Sequence, residues 1–308
     1  MATLLVEDPV FLKHLVPTGH PERPDRLRAI TRALADERFA GLVRRQAPLA
    51  DVSVLATAHL DTYIDEIRNA VPAAGIVQIE ADTYISPDSF IVARHAVGAA
   101  CLAVGEVMAG QAANAFLAIR PPGHHAEADR CMGFCLFNNA VIAAGHAQRH
   151  HGASRVAIVD WDVHHGNGTQ ALVWYDATIL YCSTHQMPLY PGTGAPSETG
   201  VGNIVNAPLS PGDGGSEFRA AFDGRILPAV DAFAPDLIVI SAGFDAHARD
   251  PLAELNLTED DFAWATTAVM ALARRHCGGR IVSLLEGGYD LTGLADSVAA
   301  HVAALMAT

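Results

Sequence analysis

Cysteine is scarce and unpaired in this sequence. Five are scattered along 308 residues, an odd number with no Cys-x-x-Cys, which does not read as a disulfide framework or a thiol redox motif. Cys131 and Cys135 flank Met132-Gly133-Phe134, but two thiols without a second pair read as packing residues. Basic residues are also few. Lys and Arg number 20 against 34 Asp and Glu, a formal net charge of −14, the reverse of the basic footprint that nucleic-acid binding needs. The acidic surplus would steer cationic substrates, and it also serves solubility alone. No uninterrupted apolar run is taken as long enough to cross a bilayer. The opening Met1-Ala-Thr-Leu-Leu-Val-Glu-Asp-Pro9 lacks the basic-then-apolar pattern of a signal peptide. The expectation is a cytoplasmic protein with no nucleic-acid and no membrane partner.

What is abundant is core material. Half of the residues are hydrophobic and only 18% are charged, and no repeat, low-complexity tract or linker divides the chain. One domain over residues 1–308 is expected. Short apolar runs at 115–119, 156–159, 178–182, 237–241 and 281–285 read as buried strands. Helical patterns near 89–108, 138–150, 216–233, 258–276 and 291–306 lie between or after them. Thr258-x-x-Asp261 resembles a capping box, and Gly278-Gly279 follows the last turn of that helix. Such alternation predicts an α/β fold, a parallel sheet covered by helices. The polar clusters then fall at strand ends, where open α/β sheets bind their ligands. These are Arg120-Pro-Pro-Gly-His-His125, Asp160–Asn167, Ser183-Thr-His185, Ser241-Ala-Gly-Phe-Asp245 and Glu286-Gly-Gly-Tyr289.

Asp160-Trp-Asp-Val-His-His-Gly-Asn-Gly168 is the densest of these clusters. Carboxylates and imidazoles at a buried strand end need partners, and a divalent metal is the simplest one. Asp162 and His164, at i and i+2, point to one side of an extended segment. Asp245 is the third ligand candidate. Two aspartates and a histidine with one position open suit zinc, and iron(II), cobalt or manganese also fit. For the adjacent His124 and His125, Asp160 and Asn167 are the candidate acceptors of an imidazole N–H. A ring paired to a carboxylate is held more cationic, and one paired to an amide stays closer to a neutral base. Tyr289, after two glycines, is placed to donate to a polarised carbonyl.

Together with His20-Pro-Glu-Arg-Pro24, Gly133-Phe-Cys-Leu-Phe-Asn-Asn139 and Tyr190-Pro-Gly-Thr-Gly194, these motifs resemble the zinc-dependent histone deacetylase superfamily over nearly the whole chain. The likeness is to its class II-like branch of bacterial amidohydrolases and acetylpolyamine deacetylases, since Asn167 stands where class I enzymes have aspartate. The resemblance implies the arginase/deacetylase fold, one domain around an eight-stranded parallel sheet flanked by helices. It implies one Zn2+ on Asp162, His164 and Asp245. His125 would be the general base and later protonate the amine, His124 would give electrostatic support held by Asp160, and Asn167 would orient His125. Tyr289 would stabilise the oxyanion. Phe134 and Tyr190 would wall the acyl-lysine tunnel, with Gly133 lining it, Asp82 at the rim and Leu252 at the entrance. Asp160, Asp162, the His164 carbonyl, Ser183 and the Thr184 carbonyl match the family's structural K+ site.

The implied reaction removes acetyl or short acyl groups from acetyl-lysine. An acetylpolyamine substrate is the alternative, with Glu254 and Asp82 as readers of a distant amine. An acyl-lysine-binding protein with little turnover is a third reading, opposed by the intact Tyr289. A manganese ureohydrolase would need more clustered aspartates than Asp160-Trp-Asp-Val-His supplies. The partner is an acetylated amine, and a homo-oligomer is left open. Other polar residues have plainer accounts. His146, His150 and His151 sit at a helix end, and His95 and His276 read as helix residues. His185 and His247 read as strand-end and loop residues near the mouth. Arg26 either neighbours an acetate exit channel or simply opens a capped helix.

Overall fold

The run at 156–159 is apolar at every position and that at 281–285 at all but Ser283, and a strand covered on both faces is what such a run can form. The computed structural model describes residues 1–307. Its strands are β1 (Thr3–Val6), β2 (Val43–Arg45), β3 (Val77–Gln78), β4 (Tyr84–Ile85), β5 (Asn114–Leu117), β6 (Val156–Asp160), β7 (Ile179–Gln186), β8 (Ile204–Leu209), β9 (Leu237–Ala242) and β10 (Ile281–Leu285). Eight form one sheet in the order β2-β1-β5-β10-β9-β6-β7-β8, with every neighbouring pair parallel. β3 and β4 make a separate antiparallel pair. Every residue of β5, β6, β7, β9 and β10 is buried. These are the five runs read from sequence, and they are contiguous in the sheet, so their C-terminal ends meet on one edge.

The helices are α1 (Asp25–Ala33), α2 (Val52–Leu55), α3 (Asp61–Ala70), α4 (Ser89–Met108), α5 (Asn139–His151), α6 (Asn167–Val173), α7 (Gly215–Ala221), α8 (Leu227–Phe233), α9 (Glu259–Cys277) and α10 (Leu291–Met306). α9 opens on the Thr258–Asp261 capping box and closes on Gly278 at φ 62°. Where the spacing predicts one helix over 216–233, the structure has α7, a π turn over Phe222–Ile226, and α8. Pro228 has no N–H for the carbonyl four residues back, and the widened turn precedes it. α4 is long and apolar enough to cross a bilayer by length and composition alone, although Arg94, His95 and Glu106 interrupt its apolar run, and its small side chains Ala96, Ala99, Ala100 and Ala103 are buried in the core. It packs against α5 and the sheet.

One ion cluster ties the N-terminal segment to the strand ends. Glu22, Arg26 and Arg120 are all completely buried. Arg26 Nη1 donates to Glu22 at 3.1 Å and Arg120 Nη2 at 2.7 Å. Arg120 also reaches the carbonyls of Phe11 at 2.9 Å and His14 at 3.2 Å, and Arg26 those of Gly288 at 2.6 Å and Glu286. Burial alone would raise the Glu22 carboxyl, but Arg120 and then Arg26 outweigh it and lower it from 4.5 to about 2. A depressed folded pKa stabilises fully above the unfolded value and is lost as pH falls through the folded one. Glu22→Ala would leave two buried guanidinium groups uncompensated. It is expected to cost about 3–5 kcal/mol in urea denaturation at pH 7, with the gap to wild type closing as the pH falls from 4.5 toward 2. A loss below about 1 kcal/mol would remove the cluster from the structural account.

Candidate active site

Four neighbouring strands deliver the site. The loop after β5 carries His124 and His125, the loop after β6 Asp162 and His164, the loop after β9 Asp245, and the loop after β10 Glu286 and Tyr289. Backbone amides hold the carboxylates in place. Asp162 accepts from the N–H of His164 at 2.9 Å and of Gly287 at 2.8 Å, and Asp245 from that of Val163 at 2.9 Å. His164 Nδ1 lies 3.1 Å from both Asp162 Oδ1 and Asp245 Oδ2. One ligand atom from each of the three residues falls within 4.8 Å of the others, and all three residues are buried.

Their electrostatics ask for a cation. Burial, and then the charge of Asp162, raises the Asp245 carboxyl to about 7. Burial opposes a charge on Asp162 too, but His124 and His164 hold it ionised. Burial likewise disfavours a charged His164, yet hydrogen bonds to Asp162 and Asp245 raise it to about 10. The field that favours a proton there favours a divalent cation equally, and the two compete for the same nitrogen. Two carboxylates and an imidazole, buried and converging beside a cavity, fit a zinc ion.

The paired histidines divide as their partners dictate. His124 Nδ1 is 3.1 Å from Asp160 Oδ2. Burial works against its charge, but Asp162 and Asp160 outweigh it and raise the ring to about 10. His125 Nδ1 is 2.8 Å from Asn167 Oδ1. Burial, then the charges of His124 and His164, push His125 well below its ordinary value. One imidazole is held cationic and its neighbour neutral. Burial and Asp245 push the Tyr289 phenol well up, so it stays a donor. Its ring is flanked by the Arg26 guanidinium at 5.0 Å and by Phe134 edge-on at 5.8 Å.

A cavity of about 200 Å³ opens above these groups, lined by Asp82, His125, Gly133, Phe134, His164, Leu189, Tyr190, Leu252 and Tyr289. Every substrate-lining residue expected from sequence is in it. A Cβ on Gly133, at φ 55°, would sit 2.2 Å from the His125 ring, so only glycine lets this wall approach the imidazole. Asp82 Oδ1 accepts from the Gly133 N–H at 3.0 Å and fixes that wall to the rim. The residues matched to a K+ site, Asp160, Asp162, His164, Ser183 and Thr184, are all buried, and Ser183 Oγ is 2.9 Å from His185 Nδ1. Glu254 and His247 do not line the cavity. The Glu254 N–H is held by Gln186 at 2.8 Å, and His247 Nε2 faces Glu259 at 3.3 Å.

Several supporting residues escape sequence reasoning. Glu286 accepts from the N–H groups of Gly123 at 2.7 Å and His124 at 3.2 Å. Asp250 accepts from those of Tyr289 at 2.7 Å and Leu252 at 3.1 Å, so one carboxylate sets both a donor and the mouth. Glu286 stands inside a noted motif, which was the available signal; Asp250 has none beyond its place before Pro251. Gly287 is equally consequential, because a Cβ there would fall 2.1 Å from Asp245 Oδ2 and 2.5 Å from Asp162 Oδ2. Gly287→Ala is expected to weaken zinc binding about 10–100-fold in chelator competition. An unchanged affinity would mean that the two carboxylates do not share the ion.

Known proteins resemble this chain over most of its length. Residues 20–305 match the model of the histone deacetylase domain. A "Histone deacetylase-like amidohydrolase" of Pseudomonas aeruginosa is 41% identical over 278 residues, 88% of this chain and 73% of that protein. A "Probable deacetylase" of Archaeoglobus fulgidus is 40% identical over 303 residues, 95% of this chain and 83% of that protein. The crystal structure of the HDA15 HD domain superposes with a TM-score of 0.93 at 37% identity, covering 99% of this chain and 88% of that one.

Proposed function

This chain belongs to the histone deacetylase family, hydrolases of amide bonds, and from that premise we propose that it is a zinc-dependent deacetylase of acetyl-lysine. The observation that carries the reading is the convergence of the buried Asp162–His164–Asp245 triad with a neutral His125 and a protonated Tyr289 on one narrow cavity. A zinc ion on the triad would supply Lewis acidity, polarising the amide carbonyl and lowering the pKa of water.

The chain's own groups do the rest. His125, kept neutral, accepts the proton of the attacking water at Nε2 and passes it to the departing amine. His124, kept cationic by Asp162 and Asp160, offsets the negative charge that develops nearby. The Tyr289 hydroxyl donates to the carbonyl oxygen as it becomes an oxyanion. Phe134 and Tyr190 flank the alkyl stem, Gly133 lines the same channel and Asp82 offers an acceptor to peptide N–H groups at the rim. A structural potassium ion on Asp160, Asp162, His164, Ser183 and Thr184 belongs to the same reading.

Leu252 at the mouth favours a neutral lysine stem. Asp82 at the rim and the net charge of −14 support acetylpolyamine as the second reading. Acetate release from an acetyl-lysine peptide and from acetylspermidine, compared as kcat/KM, separates them. A peptide preference is expected, and a polyamine preference would reassign the substrate. Tyr289→Phe is expected to lower kcat by about 10²–10³ with little change in KM; a kcat equal to wild type would remove Tyr289 from the chemistry.

A further inference from the structure

The amide of Asn167 has two ends of nearly equal shape and opposite hydrogen-bonding sense. An aspartate in its place could only accept, whichever oxygen it turned toward His125. An asparagine can accept from Nδ1 or donate to it, and the two choices leave the imidazole in different tautomers. Only one serves a general base, with the proton on Nδ1 and the lone pair on Nε2. The surroundings of the amide decide between them.

Asn167 Oδ1 faces His125 Nδ1 at 2.8 Å. The other end, Nδ2, faces Glu127 Oε1 at 2.7 Å, the His125 carbonyl at 3.4 Å and Met132 Sδ at 3.3 Å. All three are acceptors, and the carboxylate is the nearest and strongest of them. Turning the amide over would press its oxygen against a carboxylate and a carbonyl and forfeit the charge-assisted bond. Glu127 is itself anchored. Arg130 Nη2 donates to its carboxylate at 2.9 Å, its own N–H reaches the Arg130 carbonyl at 2.9 Å, and its carbonyl lies 2.8 Å from His59 Nδ1.

We propose that Glu127 is a positioning residue for the reaction: it fixes which end of the Asn167 amide faces His125 and so sets the tautomer of the base. Glu127 touches neither substrate nor metal ligand and acts only through Asn167. The proposal rests on the deacetylase reading for its kinetic consequence, but the tautomer is observable without turnover.

Two variants test it in the zinc-loaded protein. Glu127→Ala is expected to lower kcat about 10–100-fold while KM changes less than about twofold. In ¹⁵N spectra of the histidine side chains, His125 is expected to shift from a single Nδ1–H form to a mixture or to the Nε2–H form. Adding Asn167→Asp to Glu127→Ala restores an acceptor-only partner and is expected to recover most of kcat and the Nδ1–H form, which a merely structural role for Glu127 would not allow. If Glu127→Ala does not fold, Glu127→Leu takes its place, which keeps the bulk and removes the acceptor, with the same mixture of tautomers expected. An unchanged His125 tautomer in the folded variant, or a double variant no better than the single one, overturns the proposal. Wild-type protein with the Nδ1–H form but no acetate release would overturn the deacetylase reading and leave the positioning role standing.

Discussion

Two carboxylates, Asp162 and Asp245, are buried beside one imidazole at the ends of adjacent strands, and the rest of the site is organised around that desolvated charge. Taking one carboxylate out of water costs several kcal/mol even after relaxation, and two together repel. Backbone N–H groups of Val163, His164 and Gly287 meet part of the cost. A bare Gly287 lets the β10 loop approach where any side chain would collide. What these cannot supply is positive charge; His164 and His124 supply part of it, and a divalent cation would supply the rest. The same charge sets the neighbours: it holds His124 protonated, burial and the charge of His124 keep His125 neutral, and burial beside Asp245 keeps the Tyr289 hydroxyl a donor. A cationic imidazole, a neutral one and a phenol donor thus surround one pair of buried aspartates.

The sheet makes that placement possible. β5, β10, β9 and β6 are neighbours although far apart in the chain, so loops separated by up to 163 residues meet, as Gly123 meets Glu286. Their burial on both faces fixes register and height, and the tight ion cluster of Glu22, Arg26 and Arg120 fastens the N-terminal segment beneath them. Arg26 connects the two layers, donating to the Gly288 carbonyl while its guanidinium faces the ring of Tyr289.

Much of this was legible in the residues because the signals are local. Five predominantly apolar runs announce buried strands, and a polar cluster follows each. α4 and α10 fall on the residues their patterns predict, and the triad with its histidine pair is compressed into short motifs. The outer strands were less visible. β2 is three residues with two arginines, exposed at the sheet edge, and β8 carries Asn206 and Pro208, tolerable only because it too is an edge. The supports were hidden for a different reason. Arg120 and Glu22 are 98 residues apart and Asn167 and Glu127 are 40, so neither pairing leaves a spacing to read. Arg26, open between a channel residue and a plain helix start, is completely buried beside the Tyr289 ring, a placement that no local spacing announces.

The central claim is that one divalent cation answers the charge of Asp162 and Asp245. Anomalous diffraction at the zinc edge from crystals of the zinc-reconstituted protein tests it directly. The account predicts one strong peak in contact with Asp162, His164 and Asp245 at the floor of the cavity. A peak at other residues, or none at these three, would contradict it.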